Sequence, residues 1–207
     1  LSLGACSGGG TAETTKAELT EAVTAASSEE GTEAASEAGE GAGQTAEGTT
    51  YKIGILQLVQ HTALDAANEG FIAALDEAGI QYDLDSQNAS GDQSACQTVA
   101  SKFANDKKDL ILAIATPAAQ AVAGAVTDTP VLITAVTDPA ESGLVDDNQK
   151  PGGNVTGTSD LTPVKEQIDL LKQILPDAKK VGILYCSAES NSEIQAQMAR
   201  EAIEAAG

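Results

Sequence analysis

From Tyr51 onward, short apolar runs rich in β-branched residues alternate with longer stretches whose apolar residues recur at helical spacing. That alternation constrains the fold more than any other feature of the chain. Residues 52–58 are almost wholly apolar and read as a strand buried on both faces. Thr62 then reads as a helix N-cap, with Asp65 as its capping-box partner. Leu64, Ala67, Phe71, Leu75 and Ala78 form the apolar stripe of that helix, and Gly79 ends it. The pattern repeats with a strand at 80–85, a helix at 92–105 with Val99 and Phe103 inward, and a strand at 109–115. Thr116-Pro117 reads as the N-cap and first-turn pair of a helix at 118–126, and a fourth strand follows at 130–135. Strands joined through helices by short connections predict a parallel sheet covered on both faces, with right-handed crossovers. The expected class is α/β, a doubly wound parallel sheet in flavodoxin-like order. Ligands of such sheets bind at the carboxyl ends of the strands.

After Thr137-Asp138-Pro139 comes a polar, Gly-rich stretch at 146–153 and a fifth strand at 154–158. Thr162-Pro163 opens another helix, with Val164, Ile168, Leu171 and Leu175 on one face and Pro176 as its stop. Residues 181–185 read as a new strand. Ser190 and Glu193 read as the capping box of a last helix through Ala205. One helix, one strand and one helix cannot close a core of their own. Residues 51–160 therefore read as a complete first lobe, and residues 161–207 as a truncated second one.

The start of the chain is different. Leu3-Gly4-Ala5-Cys6 is the pattern that lipoprotein processing reads: small residues fit the peptidase cleft, and the Cys6 thiol accepts lipid. Residues 1–6 thus read as the end of a signal peptide closing on a lipidated cysteine. Residues 7–50 hold nine Glu against one Lys, with only Leu19 and Val23 as large apolar residues. Such a stretch cannot bury enough surface to offset its ordering entropy, and reads as a disordered acidic tether. A leash anchored at a cysteine makes sense when that cysteine carries lipid. The net charge is −20, of which the tether's surplus of Glu supplies −8. The remaining −12 repels phosphate backbones and argues against nucleic acid as a partner. Cys96 and Cys186 are the other two thiols, and they suggest neither a disulfide nor a metal site.

Polar residues gather where the strands end. Gln57 and His61 follow the first strand, Thr116 and Pro117 the third, Thr137 and Asp138 the fourth, and Ser159 and Asp160 the fifth. Ser187, Glu189, Asn191 and Ser192 follow the strand of the second lobe. Several sit at helix N-termini, where free N–H groups and the dipole favour a carboxylate. Asp138 or Asp160 suits an ammonium group, so the set as a whole suits a zwitterion; each Ser, Thr or Asp taken singly is equally well a helix cap. His61, the only histidine, reads either as a solvated loop residue or as a pocket wall. One histidine without an ordered nucleophile is weak support for catalysis. The chain has no Gly-x-Ser-x-Gly, no phosphate loop and no dinucleotide fingerprint. No cofactor and no metal are expected.

Five separate blocks resemble the tryptophan/tyrosine-type substrate-binding lipoproteins of ABC transporters. They are Ile53-Gly54-Ile55-Leu56-Gln57 with His61-x-Ala63-Leu64-Asp65-Ala66 and Gly70-Phe71; Ala115-Thr116-Pro117-Ala118-Ala119-Gln120; Ala135-Val136-Thr137-Asp138-Pro139; Gly153-Asn154-Val155-Thr156-Gly157-Thr158-Ser159-Asp160; and Leu184-Tyr185 with Glu189-Ser190-Asn191-Ser192. The resemblance implies two α/β lobes that close on a ligand about a hinge, a type I periplasmic-binding-protein-like fold. It implies an extracytoplasmic, lipid-anchored, non-enzymatic protein that binds an amino acid, aromatic in the tryptophan/tyrosine-type reading, and presents it to a permease. The family pattern has Asn after the second-lobe Tyr, where this chain has Cys186. Two other readings fit the same fold: the ligand-sensing ectodomain of a signalling system, and an extracellular α/β enzyme.

Overall fold

A computed structural model describes residues 48–207. The expected lipid site at Cys6 and nearly all of the expected tether lie outside the described residues. Five strands and five helices follow in order: β1 (Tyr51–Gln57), α1 (Thr62–Glu77), β2 (Tyr82–Asn88), α2 (Gln93–Asn105), β3 (Leu110–Ile114), α3 (Thr116–Ala125), β4 (Val131–Val136), β5 (Val155–Ser159), α4 (Val164–Ile174) and α5 (Ser190–Ala206). The strands form one sheet in the order β2-β1-β3-β4-β5, every neighbouring pair parallel. This is the doubly wound, flavodoxin-like order that the alternation predicts.

The core lies on both faces of the sheet. Alternate residues of β3 point to opposite sides: Ile111 and Ala113 join the α2–α3 cluster, whereas Leu112 and Ile114 join Ile55, Leu64 and Phe71 on the α1 side. Double-sided burial explains why the central strands carry no polar alternation. Phe103 of α2 is fully buried and lies against Gly54 of β1, where a Cβ would come within 2.9 Å of its ring. At the rim of the same face, Asp85 of β2 pairs with Lys102 and, at 3.3 Å, with Lys108. Burial pushes the Asp85 carboxyl up, but hydrogen bonds from Lys102, Gln87 and Lys108 outweigh it and hold it at about 2.

Several local expectations are corrected. The N-cap of α1 is His61, not Thr62, with extended φ −157° and ψ 138°. Asp65 closes no capping box, because its carboxylate accepts from Gln57 instead. Ala115, not Thr116, is the N-cap of α3, and Glu189, not Ser190, is that of α5; neither makes a side-chain cap bond. In all three helices the expected residue is already inside the first turn, because the turn leaving the strand fixes where helical geometry begins. β2 starts later and runs longer than 80–85, because it pairs with β1 along that strand's full length. Residues 181–185 form no strand. A ladder needs a partner, and no segment among the described residues pairs with them. Leu184 and Tyr185 are accordingly exposed, while α4 and α5 pack on one another.

Candidate functional site

The parallel registers bring the carboxyl ends of the strands to one edge. Gln57 lies opposite Ile114, Ile114 opposite Thr134, and Val136 opposite Ser159. Four of the expected site positions, Gln57, Thr116, Pro117 and Thr137, are buried at this edge, whereas His61, Ser159 and Asp160 are exposed.

Gln57 anchors the β1–α1 turn. Its Nε2 donates to Val59 O at 2.9 Å and to Asp65 Oδ1 at 2.7 Å, and its Oε1 accepts from Asn68 Nδ2 at 3.1 Å. Both amide protons are therefore committed within the protein. Gln57, Asp65 and Asn68, with Ser86, Gln87 and Asn88 of β2, line a polar cleft of about 540 Å³. His61 Nδ1 accepts from Ala63 N at 3.2 Å, which requires that nitrogen to be unprotonated.

The β3–α3 turn is strained. Ala115 has φ +83°, and Ala135, near the end of the neighbouring β4, has φ +55°. A side chain with Cβ is uncommon in this region, and such residues concentrate where function fixes the backbone. Directly after Ala115, the Thr116 hydroxyl is buried and meets no hydrogen-bond partner among the described residues. The first turn of α3 receives no side-chain cap, which leaves its N–H groups open to an anion. A buried, unpartnered hydroxyl beside an uncapped helix N-terminus is an acceptor's counterpart.

Thr137 completes this side. Its buried Oγ1 accepts from Gln195 Nε2 at 3.2 Å, so its own proton remains to be donated. Ser159 Oγ donates to Thr137 O at 2.6 Å and accepts from Leu161 N, which makes Ser159 a brace of the edge. Asp138 Oδ1 accepts from Ala140 N, Glu141 N and Asn148 Nδ2, so that oxygen holds the loop after β4.

The last group is brought in by α5. Glu189 is its N-cap, Asn191 and Ser192 lie in its first turn, and Ser187 is exposed just before it. Asn191 Oδ1 is buried without a partner among the described residues. Asn68, Gln120 and Gln195 complete the edge and were not among the expected residues. Gln120 alone carries a sequence signal, an amide between Ala119 and Ala121 in an otherwise apolar stretch, whereas Asn68 and Gln195 have polar neighbours such as Glu69 and Gln197. Among the described residues, no group of three or more His, Cys, Asp or Glu side chains converges as a metal site.

The ABC transporter substrate binding protein model matches residues 52–207. The chain belongs to that family. A Tyrosine-binding protein from Clostridioides difficile (strain R20291) is 51% identical over 147 residues, covering 69% of this chain and 43% of that protein. The structure of an ABC domain in complex with L-Trp from Streptococcus pneumoniae is 42% identical, with TM-score 0.72, over 77% of this chain and 55% of that one. A leucine-binding protein from Thermotoga maritima shares the fold alone, at 16% identity and TM-score 0.61, over 76% of this chain and 47% of that one. The chain thus spans about half the length of these relatives, and its fold is type I periplasmic-binding-protein-like.

Proposed function

We propose that this substrate-binding chain holds an amino acid at the carboxyl edge of its sheet, as the extracytoplasmic component of an ABC importer. In this reading residues 51–160 are the first lobe, residues 161–207 belong to the second, and Cys6 carries the membrane anchor. The ligand's carboxylate lies at the N-terminus of α3 and accepts from the Thr116 and Thr137 hydroxyls. Its ammonium group faces the carboxylates at the rim, Asp138, Asp160 or Glu189. Asn191 and Ser192 close over it from α5. A ligand that touches both lobes stabilises the closed arrangement, and the permease reads that form.

The observation that carries the proposal is the buried, unpartnered Thr116 hydroxyl at an uncapped helix N-terminus, behind a strained Ala115. Leaving a buried hydroxyl unpaired costs about 1–3 kcal/mol, which a protein recovers when a ligand supplies the partner. The name of the Clostridioides relative and the L-Trp held by the Streptococcus relative support an aromatic amino acid.

The chain contains no Trp. Tryptophan fluorescence from protein purified without added ligand would therefore report carried solute. In thermal melts, L-tyrosine or L-tryptophan at about 100 times Kd should stabilise the chain by about 2.7 kcal/mol. A melt unchanged by every proteinogenic amino acid would refute the proposal and leave the fold untouched.

A further inference from the structure

Three side-chain amides tie the sheet and its helices to the segment after residue 160. Gln195 Nε2, on α5, donates to Thr137 Oγ1 at 3.2 Å. Gln120 Nε2, on α3, donates to Ser190 Oγ at 3.2 Å and to Ser142 O at 3.1 Å. Gln93 Nε2, at the start of α2, donates to Ala188 O at 2.8 Å. The contacts join residues 58, 70 and 95 positions apart, so no local turn accounts for them. They also converge: three separate elements, α2, α3 and the end of β4, each meet α5 or the residues leading into it.

We infer that Gln93, Gln120 and Gln195 form a latch that holds the α5 N-terminus against the carboxyl edge and biases the hinge toward closure. The inference rests on the two-lobed reading above. The three glutamines act as positioning residues. Gln120 spends both amide protons, one on the Ser142 carbonyl and one on the Ser190 hydroxyl at the start of α5, so the loop after β4 helps to aim it at α5. Gln195 is the sole latch residue that also orients a proposed ligand group, the Thr137 hydroxyl. Each bond is neutral and partly solvated, so removing one shifts the hinge equilibrium about fivefold. Apparent affinity falls with the fraction of molecules that are closed.

The test reads the hinge directly. Spin labels at Glu69→Cys on α1 and Arg200→Cys on α5 report the inter-lobe distance, with Cys6 and Cys186 replaced by Ser and the buried Cys96 left unlabelled. Without added amino acid, the Gln120→Ala/Gln195→Ala double variant should move its distance distribution toward the longer distance, changing the closed-to-open ratio by on the order of tenfold or more. Affinity for L-tyrosine or L-tryptophan should fall, and saturating ligand should restore the wild-type distribution. Should the alanine pair lose its cooperative melt, Gln120→Asn/Gln195→Asn, which shortens the reach but keeps the amides, replaces it. An unchanged distribution overturns the latch, whether or not affinity falls. Failure of both amino acids to bind the wild type would sink the ligand reading, while the ligand-free distances still decide the latch.

Discussion

Thr116→Val separates stability from binding, because the two should move in opposite directions. Valine matches threonine in shape and replaces the hydroxyl with a methyl group. Thr116 is 1% exposed, and its Oγ1 has no partner among the described residues. The folded wild type therefore bears the cost of a desolvated hydroxyl, about 1–3 kcal/mol. Removing it while filling the same volume should stabilise the ligand-free chain by about 1 kcal/mol, or roughly 2–4 °C in Tm for a chain of this size. Binding should respond the other way. A hydroxyl that donates to a carboxylate makes a charge-assisted bond worth about 1.5–3 kcal/mol, so affinity should fall by roughly ten- to a hundredfold. Urea unfolding without ligand and calorimetry with L-tyrosine measure the two effects on one preparation. A destabilised variant would show that the hydroxyl is satisfied in the folded state. A stabilised variant with unchanged affinity would show that Thr116 faces no ligand.

Other expectations follow from the packing and the charges. Gly157→Ala should destabilise by more than about 2 kcal/mol, because its Cβ would land on the Ile133 carbonyl inside the β4–β5 ladder. Chemical denaturation measures that loss, and a neutral result would contradict the β4–β5 register. Asp85 holds its charge better folded, at about 2, than unfolded, at about 3.9. Its contribution is thus present above pH 4 and lost as pH falls toward 2. Asp85→Asn should flatten that acid limb in a pH series of unfolding curves, and an unaltered limb would refute the ion-pair account.

The sheet was legible because burial on both faces leaves continuous apolar runs, as in residues 109–115 around β3. Helix starts were less so. Ser and Thr mark the neighbourhood of a cap, but the turn out of the strand decides the residue, and at α3 that turn put Ala115 at positive φ. Residues 181–185 carry a strand's composition, yet strand formation depends on a partner that local sequence does not specify. At the site, Thr116 and Thr137 were legible as polar residues at strand ends. The Gln57–Asp65–Asn68 network was not, because the same residue types read equally well as caps and solvated side chains. Gln195 was invisible for a different reason: its partner Thr137 is 58 residues away and meets it only in the tertiary fold.

In the proposed binding mode, the edge at α3 and β4 captures the carboxylate of an amino acid. Calorimetry of the chain against L-tyrosine and L-tyrosine methyl ester tests it most directly, since the ester keeps the ring and the ammonium group but loses the anion. The free amino acid should bind, and the ester should bind at least roughly tenfold more weakly. Equal binding of the two would contradict it.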